Sequence, residues 1–167
     1  METLAAIGHS TGIYDFMNST WGWPMVESVH FIGLSLLLGA VGVFDLRMLG
    51  VGRGISLEAL HKLIPVGVSG FALNVCSGFM FLVSAPDQYL YNPAVQTKML
   101  FLGLAGSNML LFYRTVFAAV KNTAADQLPP RRAMVMAALS LACWTGVIVC
   151  GRLITVFRPP YHWCFWC

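Results

Sequence analysis

Glu27 and His30 stand in the stretch Trp23-Pro24-Met25-Val26-Glu27-Ser28-Val29-His30, which continues to Phe44 without a further charge. At i, i+3 spacing a carboxylate and an imidazole project to one side of a helix. The pair is half of the Glu-x-x-His arrangement by which helical bundles hold metals. Ionisable groups are costly in hydrocarbon, so within a span they face the bundle interior and mark a site. Three roles suit such a pair: holding a redox cofactor, relaying protons, or making a structural polar contact.

The elements that would position it are read from composition. The chain has 167 residues, 57% hydrophobic and 10% charged, too apolar for a soluble domain of this size. Apolar stretches at 25–46, 64–84, 99–119 and 133–155 each approach or exceed the roughly 20 residues needed to cross about 30 Å of hydrocarbon. The expected fold is an all-α membrane protein, a four-transmembrane-helix bundle over residues 23–157, with the lipid bilayer as its surroundings. Arg47, Arg53, Lys62, Arg114, Lys121, Arg131 and Arg132 lie on one side of that topology, against Lys98, Arg152 and Arg158 on the other. This bias predicts both termini outside, in the periplasm of a bacterium whose inner membrane holds the chain. The net charge of +3 is then a topology signal and implies no nucleic-acid partner.

Residues 1–22 lack the basic start of a signal peptide. They read as an interfacial amphipathic segment ending in Trp21-Gly22-Trp23, where tryptophans suit the headgroup zone. Glu27 and Asp45 are eighteen residues apart, five turns, and so share one face of the first span. Gly33, Gly39 and Gly42 would let other helices approach it closely. Asp45-Leu46-Arg47 at its inner end reads as a local or interhelical ion pair. Ser56 to Lys62 reads as a capped helix start, with His61 a solvated histidine at the inner interface. Asn74 and Asn108 fall near mid-membrane and are expected to make interhelical hydrogen bonds.

Glu27, His30, Asp87, Lys98 and Arg152 all collect at the outer end, drawn from four distant segments. The favoured reading is a small inner-membrane subunit with a redox cofactor near its outer face. Haem b, copper and iron are the candidate groups, with His30, Glu27, Arg152 and His9 as cofactor-binding candidates. A bis-histidine haem needs a second ligand at the depth of His30; His9, His162, Met25 or a neighbouring protomer could supply one. The tail, residues 158–167, carries His162, Cys164 and Cys167. Cys-x-x-Cys on the oxidising side favours a disulfide, with metal ligation by His162, Cys164 and Cys167 as the alternative. Cys76, Cys143 and Cys150 read as inert small apolar residues.

Two other functions stay open: a cofactor-free accessory subunit with a Glu27–Arg152 ion pair, and an outward-facing proton relay. The relay lacks an ionisable path through the middle of the membrane. No serine nucleophile, phosphate loop or paired-metal carboxylate set is present. Glycine-rich faces favour a homo-oligomer or a place in a larger complex.

Trp23-Pro24 with Glu27-x-x-His30-x-x-Gly33, Asp45-Leu46-Arg47-x-Leu49-Gly50, Pro65, Gly70, Asp87-x-x-x-Tyr91-Asn92-Pro93, Lys98, Asn108 and Ser140-Leu141-x-x-Trp144 through Gly151-Arg152 together resemble a family of small bacterial four-helix membrane proteins, the DUF6644 type. The resemblance covers residues 20–157 and implies the four-span fold and a bacterial inner membrane. It brings no reaction with it. Members often have a histidine where this chain has Tyr113, which argues against a ligand at the inner end of the third span.

Overall fold

The computed structural model describes residues 2–157; His162, Cys164 and Cys167 lie outside them, so the metal or disulfide reading of the tail has no structural counterpart here. The described elements are all helical: α1 (Glu2–Ser10), α2 (Ile13–Met17), α3 (Gly22–Met48), α4 (Leu57–His61), α5 (Ile64–Ser84), α6 (Pro86–Leu90), α7 (Pro93–Thr115), α8 (Phe117–Lys121) and α9 (Arg131–Leu153). Three helices are long and apolar enough to cross a membrane: Gly22–Met48, Leu57–Ser84 with α4 and α5 taken together, and Arg131–Leu153. At 23 residues α7 matches α9 in length. It is not among the three because Gln96, Lys98, Asn108 and Arg114 dilute its apolar run.

Helix boundaries follow local chemistry. Pro24 and Pro65 sit in the first turns of α3 and α5, where a missing N–H costs nothing. Ser56 caps α4 by accepting from the Ala59 amide at 3.1 Å, as the sequence suggests. The third apolar stretch departs from expectation: its helix starts at Pro93, not near 99, and ends at Thr115. Asn92 sets the start, its Oδ1 accepting from the Ala94 amide at 3.0 Å with Pro93 as first helical residue. Asn92 is fully buried, and its Nδ2 donates to the Ile154 carbonyl at 3.0 Å, tying the start of α7 to the end of α9.

The long helices form two antiparallel pairs, α3 with α5 and α7 with α9, joined where α3 meets α9. α3 and α5 cross almost in backbone contact. A Cβ on Gly70 would stand 2.5 Å from the Gly33 carbonyl oxygen, and one on Gly33 would stand 2.7 Å from the Gly70 carbonyl oxygen. Of Gly33, Gly39 and Gly42, only Gly33 is used this way; Gly39 and Gly42 face open space. The α7–α9 pair is keyed by Gly146, whose missing side chain admits the Phe101 ring. A core of Phe44, Met48, Leu57, Leu60, Phe112, Val116, Val120, Ala133 and Ala137 fills the end of the molecule nearest Arg47.

The N-terminal segment is two helices, not one. Gly12, at a φ of +71°, makes the turn between them. Both pack on α5: a Cβ at Gly8 would meet the Val83 carbonyl oxygen at 2.6 Å, and Met17 is wholly buried.

Arg47 corrects one expectation. Among the described residues it makes no ion pair with Asp45; two residues apart on a helix, the side chains point to different sides. The guanidinium is 1% exposed and clasps two loops: Nε donates to Ile55 O at 2.7 Å, and Nη2 to the carbonyls of Ala125, Gln127 and Arg53. Asp45 instead lies beside Ser140 of α9.

Removing this clasp strands up to four carbonyls, whereas Asn92→Ala removes one cap and one interhelical bond. Arg47→Ala is expected to cost about 3–5 kcal/mol and Asn92→Ala about 2 kcal/mol. Unfolding of the purified variants in mixed micelles checks the order; equal losses would show that the clasp is not the stronger tie.

Candidate functional site

His30, partly buried on α3, meets Ser77 of α5, its Nδ1 2.7 Å from the hydroxyl oxygen. Ser77 Oγ also lies 2.6 Å from the Leu73 carbonyl oxygen. A carbonyl only accepts, so the single hydroxyl proton goes to Leu73 and Ser77 accepts from His30 Nδ1–H. The tautomer then leaves a lone pair on Nε2. That nitrogen has no hydrogen-bond partner among the described residues, and it is not enclosed. A histidine whose Nδ1–H is anchored while Nε2 stays open is in the state that ligates metals or accepts protons.

An aromatic wall backs the ring. Phe81 meets His30 edge-on at 5.8 Å, Trp23 stacks on Phe81 at 5.0 Å, and Tyr89 lies beyond it at 6.3 Å. Lys98 of α7 lies within electrostatic reach of His30. Its Nζ is 3.8 Å from the place a Cβ on Gly151 of α9 would occupy. Burial and the nearby Glu27 carboxylate hold the Tyr89 phenol up at about 12. The four long helices and α6 therefore each supply a group to this end.

The candidate residues are only partly assembled. His30 and Lys98 are together, and Glu27 reaches the site through Tyr89, yet Glu27 is itself exposed. Arg152 is also exposed, and among the described residues no ion pair joins it to Glu27. His9 stacks on Tyr14 at 4.1 Å, at the α1–α2 turn, and is not a ring neighbour of His30. Met25 is 55% exposed. Among the described residues no three His, Cys, Asp or Glu side chains cluster as a metal site. Cys76, Cys143 and Cys150 are free thiols.

Three features go beyond what the sequence suggests. Ser77, the partner of His30, is hidden in the chain within a small-residue stripe. His61, read as solvated, lies partly buried among Phe44, Tyr113 and Phe117, with Nε2 3.1 Å from the Tyr113 hydroxyl. The signal for it is the i, i+4 spacing of Tyr113 and Phe117, at the same end of the bundle as His61. Asn74 bonds Gly70 O within its own helix at 2.9 Å, whereas Asn108 does bridge helices, to Met136 O at 2.9 Å.

Comparison with protein-family models, with curated proteins and with solved structures gives no match to this chain.

A phenol whose folded pKa is raised from 10 to about 12 contributes stability that is complete below pH 10 and is lost as the pH rises toward 12. Absorbance titration is expected to show one tyrosine ionising near pH 12, absent in Tyr89→Phe and shifted downward in Glu27→Gln. An unshifted titration in Glu27→Gln would remove the Glu27–Tyr89 link.

Proposed function

We propose that the chain is a four-span subunit of a bacterial inner membrane whose activity lies at the His30 end, with His30 Nε2 as the open position for a redox cofactor. The carrying observation is the Ser77-anchored imidazole with a free, unenclosed Nε2 against the Trp23–Phe81–Tyr89 wall. α7 serves as the fourth span: at about 1.5 Å per residue its 23 residues reach about 34 Å. The seven-to-three distribution of basic residues supports both termini outside, which makes the His30 end periplasmic. The DUF6644-type resemblance supports the same membrane.

Haem b is the first candidate group, copper or iron the second, and electron transfer the activity. An apolar aromatic wall suits a flat macrocycle, and the Lys98 ammonium suits its acidic groups. One protomer offers one ligand, so a second copy or a partner subunit supplies the other. Gly39 and Gly103, facing open space, support such close packing between copies.

The second reading is a cofactor-free accessory subunit in which His30 ties α3 to α5. The Ser77 bond favours it as well, since that bond alone satisfies a structural role. A proton relay has less support, because Asn74 and Asn108 spend their amides on backbone carbonyls.

An absorption spectrum of the purified protein, with metal analysis, separates these. Cofactor binding predicts a Soret band, or copper or iron in fixed ratio, lost in His30→Gln, whose amide can still donate to Ser77. A blank spectrum and blank metal content would dismiss the redox reading, and assembly defects in His30→Ala would then support the accessory role. For orientation, a reporter active only in the cytoplasm is expected to work when inserted at Thr123; activity from an insertion at Ser10 would invert the topology.

A further inference from the structure

α3 touches α5 and α9, and α9 touches α7, but α5 and α7 make no substantial contact with each other. Between them runs a cleft of about 260 Å³, walled by Val68 and Phe71 on one side and Met109 on the other, with Asp45 and Trp144 also in its lining. The cleft is at the opposite end of α3 from His30.

Asp45 is 4% exposed, and it lines this cleft. It lies beside Ser140, and its Oδ2 has no hydrogen-bond partner among the described residues. A buried polar atom left unpaired in apolar surroundings is costly. The rest of the lining is almost wholly hydrocarbon and aromatic. The occupant that matches is apolar along its body and polar at one point.

From Leu37 to Asp45, both lining residues, eight residues of α3 span about 12 Å, the length of an extended hydrocarbon body.

We infer that the α5–α7 cleft binds a slender lipid-soluble alcohol or phenol, its hydroxyl on Asp45 Oδ2 and its apolar body running toward Trp144. A hydroxyl both donates and accepts, so it satisfies that oxygen in either protonation state of the carboxyl group. The inference stands apart from the cofactor at the His30 end and does not depend on it.

Trp144 reports occupancy directly. Its emission is obtained as the difference between the protein and its Trp144→Phe variant, in micelles titrated with a dibrominated fatty alcohol, a brominated phenol, or a dibrominated hydrocarbon of equal length. The alcohol or the phenol is expected to half-quench Trp144 at a mole fraction about tenfold below that of the hydrocarbon. Whichever of the two is stronger identifies the ligand as a lipid alcohol or a ring compound. Asp45→Ala is expected to abolish the preference. Gly106→Leu, at a lining glycine where an added Cβ would meet no atom within 4 Å, keeps the fold and is expected to weaken quenching by the alcohol and the phenol about tenfold. Equal quenching by all three probes, or a preference that survives Asp45→Ala, would overturn the inference.

Discussion

The crossing of α3 and α5 at Gly33 and Gly70 governs the rest of the molecule. Lipid chains are as apolar as leucine, so helices gain little from hiding hydrophobic surface from one another. Close backbone approach and a few hydrogen bonds take over. With no side chain at either glycine, the two backbones come within contact of each other's carbonyl oxygens. One turn before Gly33 and two turns after Gly70 come His30 and Ser77, which the crossing brings to 2.7 Å. The same logic locks α7 to α9, where Gly146 receives Phe101. Each outer helix is thus committed to an inner one. α5 and α7 are left without a reason to meet, and the cleft between them follows.

Polar side chains divide into two groups under this constraint. Most hydroxyls bond backward within their own helix: Ser28 to Pro24 O, Ser35 to Phe31 O, Thr115 to Leu111 O and Thr145 to Leu141 O. Such bonds satisfy the hydroxyl without fixing any neighbour. A smaller group makes ties across the fold: His30–Ser77, Asn108 to Met136 O, Asn92 to Ile154 O and the Arg47 clasp. These polar ties determine register and loop position, which the hydrophobic effect leaves free.

Much of the architecture is legible in the chain because its punctuation is local. Pro24, Pro65, Ser56 and Asn92-Pro93 mark helix starts by chemistry that needs no partner, and three of the four apolar stretches match their helices closely. The third is displaced because hydropathy alone ignores the start that Asn92-Pro93 encodes. The candidate site is less legible. The convergence of His30 and Lys98 follows from topology alone, but pairing Glu27 with Arg152 rests on opposite charge and nothing more. Which of two same-face residues is covered depends on where neighbouring helices lie, and Asp45 is buried while Glu27 is exposed. His61 and Arg47 depart from expectation for a related reason. Their partners, Tyr113 and the carbonyls of Ile55 and Ala125, are backbone atoms or aromatics outside their own helices, and no charge pattern announces them.

The two ends of the bundle are closed in different ways. Around Arg47, Leu57, Leu60, Phe112 and Val120 close over the loops, and the guanidinium holds the connections shut. Loops tied this firmly have little freedom to admit a partner. At the other end the covering elements are short, α2 and α6, and the polar groups under them are an imidazole with one nitrogen free and a phenol whose ionisation burial and Glu27 disfavour. The proposed cofactor site would use the open nitrogen at the His30 end, while the Arg47 clasp fixes the loops at the other end and leaves the cleft beside Asp45 open.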